Sequence, residues 1–256
     1  MTDFHALHQP GRPLVLVNAW DAASARIVAA AGAAAVATTS AGVAWSLGAP
    51  DGDALGLDLA VEAARRVVAA VAVPVSVDVG AGYGDPAGTL RAMAAAGVAG
   101  VNLEDGARGI AEQQARLAAA KEAAPGVFLN ARIDTLLFGL GDPAEAITRA
   151  KAYLDAGADG VFVPGTTDPA VVAELVAAIP GPVNVLTGSG APPIGELAAL
   201  GVARISLGSS VAQAAYGLVD RAAREAFGAG GYAELAGAAD YGRLNELSAG
   251  SPGTGG

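Results

Sequence analysis

The feature that most constrains the fold is a regular alternation of two kinds of segment along the chain. Short runs rich in Val, Ile and Leu alternate with longer runs rich in alanine. The short runs are apolar at nearly every position, which is typical of parallel strands covered on both faces. Eight such strands, each followed by a helix, predict an α/β fold with a single (β/α)8 TIM-type barrel, and a doubly wound open sheet is the alternative. The predicted strands span residues 14–19, 34–40, 74–79, 100–104, 127–133, 160–164, 182–187 and 203–207.

The alanine-rich runs place apolar residues at helical spacing, for instance at Leu59, Ala63 and Val67. Several of them end at a glycine, which favours a helix stop. We expect a last helix from Tyr232 to Leu247, so that residues 1–247 form one domain and residues 248–256 form a disordered tail. The predicted helices span 22–31, 58–72, 86–97, 111–124, 143–157, 169–179, 194–200 and 210–227.

Composition excludes several classes of function. The 256 residues are 53% hydrophobic and carry a formal net charge of -10, which argues against a nucleic-acid partner because phosphate binding needs clustered Lys and Arg. No apolar run is long enough to predict a membrane span. The first residues lack a basic region followed by an apolar core, so we expect no signal peptide and a cytoplasmic protein.

Missing residue types narrow the chemistry further. The chain has no cysteine, which rules out a thiolate nucleophile and a zinc–thiolate site. Its only histidines, His5 and His8, precede the first predicted strand, so the barrel itself supplies no catalytic histidine. Any reaction must therefore use carboxylates, arginine, hydroxyls, backbone amides or a metal.

Charged residues follow several predicted strands at the point where each strand ends. In a barrel of this kind the active site lies at the carboxyl ends of the strands, so these side chains should meet. Oxygen ligands without Cys or His favour Mg²⁺ or Mn²⁺, held by a few carboxylates, water and a chelating substrate. The alternative is a structural ion-pair network of Glu104, Asp105, Arg132 and Asp134. The charged residues are Asp51 and Asp53 in a long loop, then Asp78, Glu104, Asp105, Arg132 and Asp134.

The strand ends also offer groups that can bind a substrate. Arg132 can hold a carboxylate through a bidentate pair of hydrogen bonds. Backbone N–H groups near Ser40 and Ala41 can hold a developing enolate oxygen. The glycine-rich turns 188–190 and 208–210 suggest a phosphate site, although glycine is so common in this chain that the indication is weak.

Six segments, in order, resemble one known family. They are LVNAWDAASARIVAAAGAAAVATTSAG, SLGAPDGD, VSVDVGAGYGD, AGVAGVNLEDG, NARIDT and GVARISLGSS, and the match runs from about residue 14 to 210. Their ordered set is similar to the isocitrate lyase/phosphoenolpyruvate mutase superfamily, and in particular to its short, largely uncharacterised branch.

The resemblance implies a fold, a metal and a set of roles. The family has a (β/α)8 barrel that exchanges a C-terminal helix between subunits, forms homodimers or homotetramers, and acts with Mg²⁺ on small α-oxo or α-hydroxy carboxylates through enolate-like species. By position, Asp78 matches the acid that contacts the metal, and Asp51 and Glu104 match acids that hold the metal's waters. Arg132 matches the carboxylate-binding arginine. The segment Thr39, Ser40 and Ala41 matches the loop that holds the enolate oxygen.

Two departures from the family pattern bear on the activity. The family has a second acid two residues after the first, and here that position is Gly80. The lyases and mutases carry a gating loop with Lys and Cys after the strand at 100–104, and here the segment 105–114 has neither. In the lyases that Cys is the general acid, so a true isocitrate or methylisocitrate lyase is not expected, and neither is an ordinary mutase.

The sequence therefore predicts a Mg²⁺-dependent or Mn²⁺-dependent lyase that cleaves a C–C bond in a small carboxylate. Tyr83 and a metal-bound water are the candidate proton donors. Phosphonopyruvate-type P–C chemistry, by a mutase or a hydrolase, is one alternative. A non-catalytic relative that binds a small acid is the other.

Overall fold

Nine strands lie side by side and parallel in a computed structural model, which describes residues 3–249. The order β1-β9-β8-β7-β6-β5-β4-β3-β2 brings the first segment of the chain back beside the last strand, which confirms the predicted TIM-type barrel. The strands are β1 (Leu14–Leu16), β2 (Asn18–Ala19), β3 (Val36–Thr38), β4 (Val75–Asp78), β5 (Gly100–Glu104), β6 (Phe128–Arg132), β7 (Gly160–Val163), β8 (Val183–Leu186) and β9 (Arg204–Ser206).

The predicted first strand is divided in two, the first part pairing with β9 and the second with β3, and the side chain of Asn18 takes part in closing the barrel. Its Nδ2 donates to the carbonyl of Thr38 on β3 at 2.8 Å. Its Oδ1 accepts from the backbone N–H groups of Leu207 at 3.1 Å and Gly208 at 3.0 Å, just after β9. One amide side chain thus joins both neighbouring strands where the backbone ladder is interrupted. All eight predicted strand segments are present.

The helices surround the barrel and follow the predicted pattern, with one addition. Residues 40–46, predicted as the end of a strand and the start of a loop, form a helix. Three short 3-10 helices span His5–Leu7, Asp53–Leu55 and Ala233–Leu235. The α-helices are α1 (Ala22–Ala30), α2 (Ser40–Ser46), α3 (Leu57–Ala70), α4 (Pro86–Ala95), α5 (Ile110–Ala123), α6 (Pro143–Asp155), α7 (Pro169–Ala178), α8 (Ile194–Ala199), α9 (Ser210–Gly228) and α10 (Tyr241–Ala249). None of the helices between residues 3 and 249 has the length and apolar character needed to cross a bilayer.

A layer of polar side chains crosses the interior of the barrel. Arg204 is 1% exposed, and its Nη2 donates to Ser76 Oγ at 3.1 Å and to Asn102 Oδ1 at 3.2 Å. Asn130 Nδ2 donates to the same Asn102 oxygen at 2.9 Å. Because alternate residues of a strand point to the same face, the residues two positions after Ser76, Asn102 and Asn130 also point into the barrel, one layer closer to the carboxyl ends.

The amino-terminal segment covers the opposite end of the barrel. Phe4 packs edge-on against Phe128, and a Cβ at Gly100 would touch the Phe4 ring, so both contacts lie at the first residues of strands. His8 stacks on Phe128 at 3.9 Å between ring centroids. Burial, with the nearby charge of Arg204, lowers the pKa of His8 to about 3. The structure therefore places His8 away from the carboxyl ends of the strands, as the sequence order predicted.

The carboxyl-terminal helices lie on the outside of the barrel. Of the 19 residues of α9, only Ala212 is buried. Helix α10 packs against α1, where Arg26 Nη1 donates to the carbonyls of Leu247, at 3.0 Å, and Ser248. The predicted helix over 232–247 is a 3-10 turn followed by α10. Of the predicted tail, Ser248 and Ala249 belong to α10, and residues 250–256 lie outside the described part of the chain.

Candidate active site at the carboxyl ends of the strands

Three predicted site residues are the last residues of three adjacent strands. Asp78 ends β4, Glu104 ends β5 and Arg132 ends β6. Glu104 and Arg132 are register partners, and Arg132 Nη1 lies 3.0 Å from Glu104 Oε2. All three side chains are partly exposed. Parallel strands therefore place two acids and one cation together at the open end of the barrel.

Asp78 receives hydrogen bonds at both carboxylate oxygens. Ser40 Oγ donates to Oδ2 at 3.0 Å, and the backbone N–H of Gly80 lies 3.4 Å from Oδ1. The backbone N–H of Asp78 donates to Thr38 Oγ1 at 3.2 Å, which holds the end of β4 against β3. These contacts fix the orientation of a carboxylate that would otherwise be costly to bury.

Thr39, Ser40 and Ala41 form the start of helix α2 and not the end of a strand. Thr39 is buried in extended conformation, and the helix begins at Ser40. A Cβ on Gly42 would lie 2.7 Å from Thr39 Cγ2 and 2.9 Å from Trp20 Cβ, so glycine is what allows α2 to pack this closely. The predicted strand 34–40 thus extends two residues beyond each end of β3. The helical turn directs the Ser40 hydroxyl toward Asp78.

Glu104 is the acid whose titration the site alters most clearly. Burial raises the pKa of Glu104 to about 7. The charge of Arg132 opposes the shift, while the negative charges of Asp78, Asp134 and Asp51 add to it. At neutral pH this carboxyl is therefore poised between its neutral and ionised forms, a property that is common among functional acids.

Arg132 is held from two sides. Its Nε donates to Asp134 Oδ1 at 2.7 Å, and its guanidinium carbon lies 5.9 Å from the centre of the Phe162 ring. Burial opposes the charge of Arg132, but Asp78, Asp134 and Glu104 outweigh it, so the pKa of Arg132 is raised. The guanidinium stays charged and oriented at the mouth of the barrel.

Asp105 and Asp134 form a buried support beneath these groups. Both carboxylates are 0% exposed. Asp105 Oδ2 accepts from Tyr153 OH at 2.8 Å and from Arg149 Nη1 at 3.0 Å, while its Oδ1 accepts from the backbone N–H of Asp134 at 3.0 Å. All four residues of the ion-pair alternative do form ion pairs, Arg132 with Glu104 and Asp134, and Asp105 with Arg149. Asp105 and Asp134 are buried in these pairs, whereas Glu104 and Arg132 are partly exposed at the mouth of the barrel. Arg149 and Tyr153 were missed, although their spacing of four on one helix face indicates that they act together.

Tyr83 lies in the glycine-rich turn after β4. It adopts a positive φ of 49°, which is unusual for a side chain of this size. Together with Ser40 and Asp78 it lines a narrow pocket beside the strand ends. Burial, followed by the charge of Asp78, raises the pKa of Tyr83 to about 12. The phenol therefore keeps its proton at neutral pH.

Asp51 is the predicted metal residue that comes from a loop and not from a strand end. Its side chain is exposed in the loop before α3, and its Oδ1 accepts from the backbone N–H of Gly52 at 2.9 Å. Its charge nevertheless contributes to the raised pKa of Glu104.

The donor set fits a metal with few protein ligands and does not form a closed cage. Between residues 3 and 249, no three His, Cys, Asp or Glu side chains are grouped closely enough to hold a metal together. Mg²⁺ commonly keeps several waters and binds one or two carboxylates together with a chelating substrate. Asp78 offers that kind of site, because hydrogen bonds orient both of its carboxylate oxygens and its side chain is partly exposed.

Comparisons with known proteins extend over most of the barrel. A family model described as phosphoenolpyruvate phosphomutase matches residues 4–227. An uncharacterized protein of Mycobacterium tuberculosis is 44% identical over 216 residues, which are 80% of this chain and 81% of that protein. The 2-methylisocitrate lyase of Escherichia coli is 31% identical over 220 residues, 74% of each chain. A solved structure of phosphonopyruvate hydrolase with oxalate and Mg²⁺ superimposes with a TM-score of 0.83 at 25% identity, covering 96% of this chain and 93% of that one.

Proposed function

The chain belongs to the isocitrate lyase/phosphoenolpyruvate mutase superfamily, and on this premise we propose that it is a Mg²⁺-dependent or Mn²⁺-dependent lyase. Its substrate is a small α-oxo or α-hydroxy carboxylate, in which a C–C bond breaks through an enolate-like intermediate. The observation that carries the proposal is the row of Asp78, Glu104 and Arg132 at the ends of three adjacent strands.

The acids and the arginine take separate roles in this proposal. Asp78 would hold the metal directly, and Glu104 and Asp51 would hold its waters. A divalent metal bound there supplies Lewis acidity, which stabilises negative charge on a substrate oxygen. The Ser40 hydroxyl, which donates to Asp78 Oδ2, orients that carboxylate. The segment Thr39, Ser40 and Ala41, at the start of α2, would hold the enolate oxygen.

Arg132 binds the substrate carboxylate. Its Nε is fixed by the buried Asp134, so the far edge of the guanidinium stays directed at the mouth of the barrel. Its Nη1 contacts Glu104. Because the pKa of Glu104 is about 7, this carboxyl is partly protonated at neutral pH, and a fully charged substrate carboxylate can displace it from Arg132. A substrate carboxylate that replaces this contact would be held in one orientation before the bond breaks.

The enolate formed by C–C cleavage must be protonated before the product leaves, and Tyr83 is the candidate donor. Its raised pKa keeps the phenol protonated, and it lines the same pocket as Asp78. The segment 105–114 has no Cys or Lys that could take this role. For that reason we do not propose isocitrate or methylisocitrate cleavage.

One reason to prefer C–C cleavage over P–C chemistry is the groove at the ends of β7, β8 and β9, which contains the turn 188–190 that suggested a phosphate site. This groove, of about 390 Å³, is lined by hydroxyls including Thr166, Thr187 and Ser189. Among the described residues that line it there is no Lys or Arg, which a phosphoryl group would favour.

The test is a panel of α-oxo and α-hydroxy carboxylates with and without EDTA. We expect at least one compound to give a carbonyl product in a metal-dependent way, without release of inorganic phosphate. Phosphate release from a phosphonate substrate would favour the P–C alternative. Binding of the acids without turnover across the panel would favour the non-catalytic alternative.

We also propose that the chain forms a homodimer or homotetramer by exchanging α9. An apolar groove of about 660 Å³ lies beside α1, lined by Val15, Ile27, Val28 and, from the start of α9, Val211. The rest of α9 leaves apolar residues in solvent, including Val219 at 64% exposure. A second copy of α9 is the occupant whose apolar face and position suit this groove, because exposed apolar surface of this extent marks an interface.

A further inference from the structure

Gly80 occupies the point between the two acids that end β4 and β5. Its backbone N–H lies 3.4 Å from Asp78 Oδ1. Its carbonyl accepts from the backbone N–H of Glu104 at 3.0 Å. Any side chain at position 80 would therefore begin where the ends of β4 and β5 meet.

The space in front of Gly80 is faced by another acid. A Cβ built on Gly80 would have one neighbour within 4 Å, the Oδ1 atom of Asp53 at 3.8 Å. Asp53 lies in the loop before α3, 27 residues before Gly80 in the sequence. The Asp53 carboxylate thus lies close to the place where a side chain at position 80 would project, although it belongs to a different loop.

The segment that carries Asp53 is anchored over the site. Asp53 begins the 3-10 helix Asp53–Leu55, and the Leu55 side chain is buried. Gly52 and Leu55 line the same narrow pocket as Asp78. Within residues 3–249 the Asp53 carboxylate accepts no hydrogen bond and joins no ion pair, although its charge reaches Arg116 on α5.

We propose that Asp53 supplies, from the neighbouring loop, the carboxylate that Gly80 does not carry, and that it holds a water of the metal's hydration shell. This inference rests on the proposed metal site and adds a positioning residue to it. It explains how a site with glycine at position 80 retains a second acid near Asp78. Outer-shell partners of this kind typically change metal affinity by about 10-fold to 100-fold.

The experiment measures Mn²⁺ affinity by electron paramagnetic resonance, with oxalate present, for four proteins. They are the wild type, Asp53→Asn, the double variant Asp53→Asn/Gly80→Asp, and the control Asp58→Asn. Asp58 is an exposed acid in the first turn of α3, so its variant removes the same charge nearby. Gly80 has a φ of 53°, which Asp tolerates better than most residues, and the space for a Cβ is free of close contacts.

We expect Asp53→Asn to weaken Mn²⁺ binding about tenfold, Asp58→Asn to bind as the wild type does, and Gly80→Asp to restore the affinity lost in Asp53→Asn. Wild-type affinity in Asp53→Asn would overturn this inference and leave the proposed metal site in place. An equal loss in Asp58→Asn would also overturn it, since general charge would then be the cause. No Mn²⁺ binding by the wild type would overturn the proposed function itself.

Discussion

Replacing Glu104 by Gln should make the protein more stable at alkaline pH, relative to the wild type, than at acidic pH. Burial raises the pKa of Glu104 from 4.5 to about 7. The folded state then binds a proton more tightly than the unfolded state, so the stability contributed by this group is present at low pH and is lost as pH rises toward the folded pKa. Glutamine cannot ionise, and the variant does not suffer this loss.

The magnitude follows from the two pKa values. With 4.5 in the unfolded chain and about 7 in the folded one, ionisation of Glu104 should destabilise the folded state by roughly 2 to 3 kcal/mol more at about pH 8 than at about pH 5. The advantage of Glu104→Gln over the wild type should therefore grow by about that amount across this range. Other titrating groups are common to both proteins and cancel in the difference.

The assay is urea unfolding in EDTA at several pH values, followed by circular dichroism. Glu122→Gln, an exposed glutamate on α5, is the matched control, and its difference from the wild type should change little with pH. A Glu104→Gln difference that stays flat, or that favours the wild type at alkaline pH, would refute the reasoning. The pairing of Glu104 with Arg132 would then outweigh its burial.

Three further predictions concern binding, packing and assembly. Arg132→Lys should lose the bidentate hydrogen bonds to a carboxylate and weaken oxalate binding by roughly 10-fold to 100-fold, as measured by calorimetry with Mg²⁺. The control Arg91→Lys, at an exposed position, should bind oxalate as the wild type does, and equal affinities in the two variants would contradict the role of Arg132. Gly42→Ala should lower the free energy of unfolding by roughly 1 to 3 kcal/mol, because the added Cβ meets side-chain carbons at 2.7 and 2.9 Å. The control Gly195→Ala adds a Cβ where no atom lies within 4 Å and should not lower the stability. An unchanged stability in Gly42→Ala would show that α2 can move away from these carbons. Val219→Glu should shift the mass seen by light scattering toward the monomer, and a monomeric wild type would contradict the exchange of α9.

The strands and most helices could be predicted because their signal is local. A continuous apolar run can only be a strand covered on both faces or a buried helix segment, and the glycines between runs decide the boundaries. Helix α2 was missed because its sequence SAGVAWS contains a glycine and has no strong helical periodicity. It forms because Gly42 lets it pack against Trp20 and Thr39, which is a tertiary contact.

The candidate site was predictable in its residue types and only partly in its roles. Because the carboxyl ends of parallel strands meet, Asp78, Glu104 and Arg132 could be grouped from strand positions alone. Which acids are buried could not be predicted, because Asp105 is held by Arg149 and Tyr153 on α6, more than 40 residues away in the sequence. The approach of Asp53 to Gly80 likewise depends on how a loop folds over the barrel, and the sequence carries no local signal for it.

The measurement that tests the central claim most directly is thermal unfolding of metal-stripped protein with Mg²⁺ alone, oxalate alone and both together. Oxalate chelates the metal and resembles the enolate of an α-oxo acid. At about 100 times its dissociation constant a ligand stabilises the folded state by about 2.7 kcal/mol, which corresponds to a rise in Tm of roughly 5 to 10 °C for a domain of this size. We predict that this rise requires both Mg²⁺ and oxalate in the wild type and is absent in Asp78→Ala. No rise in any combination for the wild type, or the same rise in Asp78→Ala, would contradict a metal–enolate site at the end of β4.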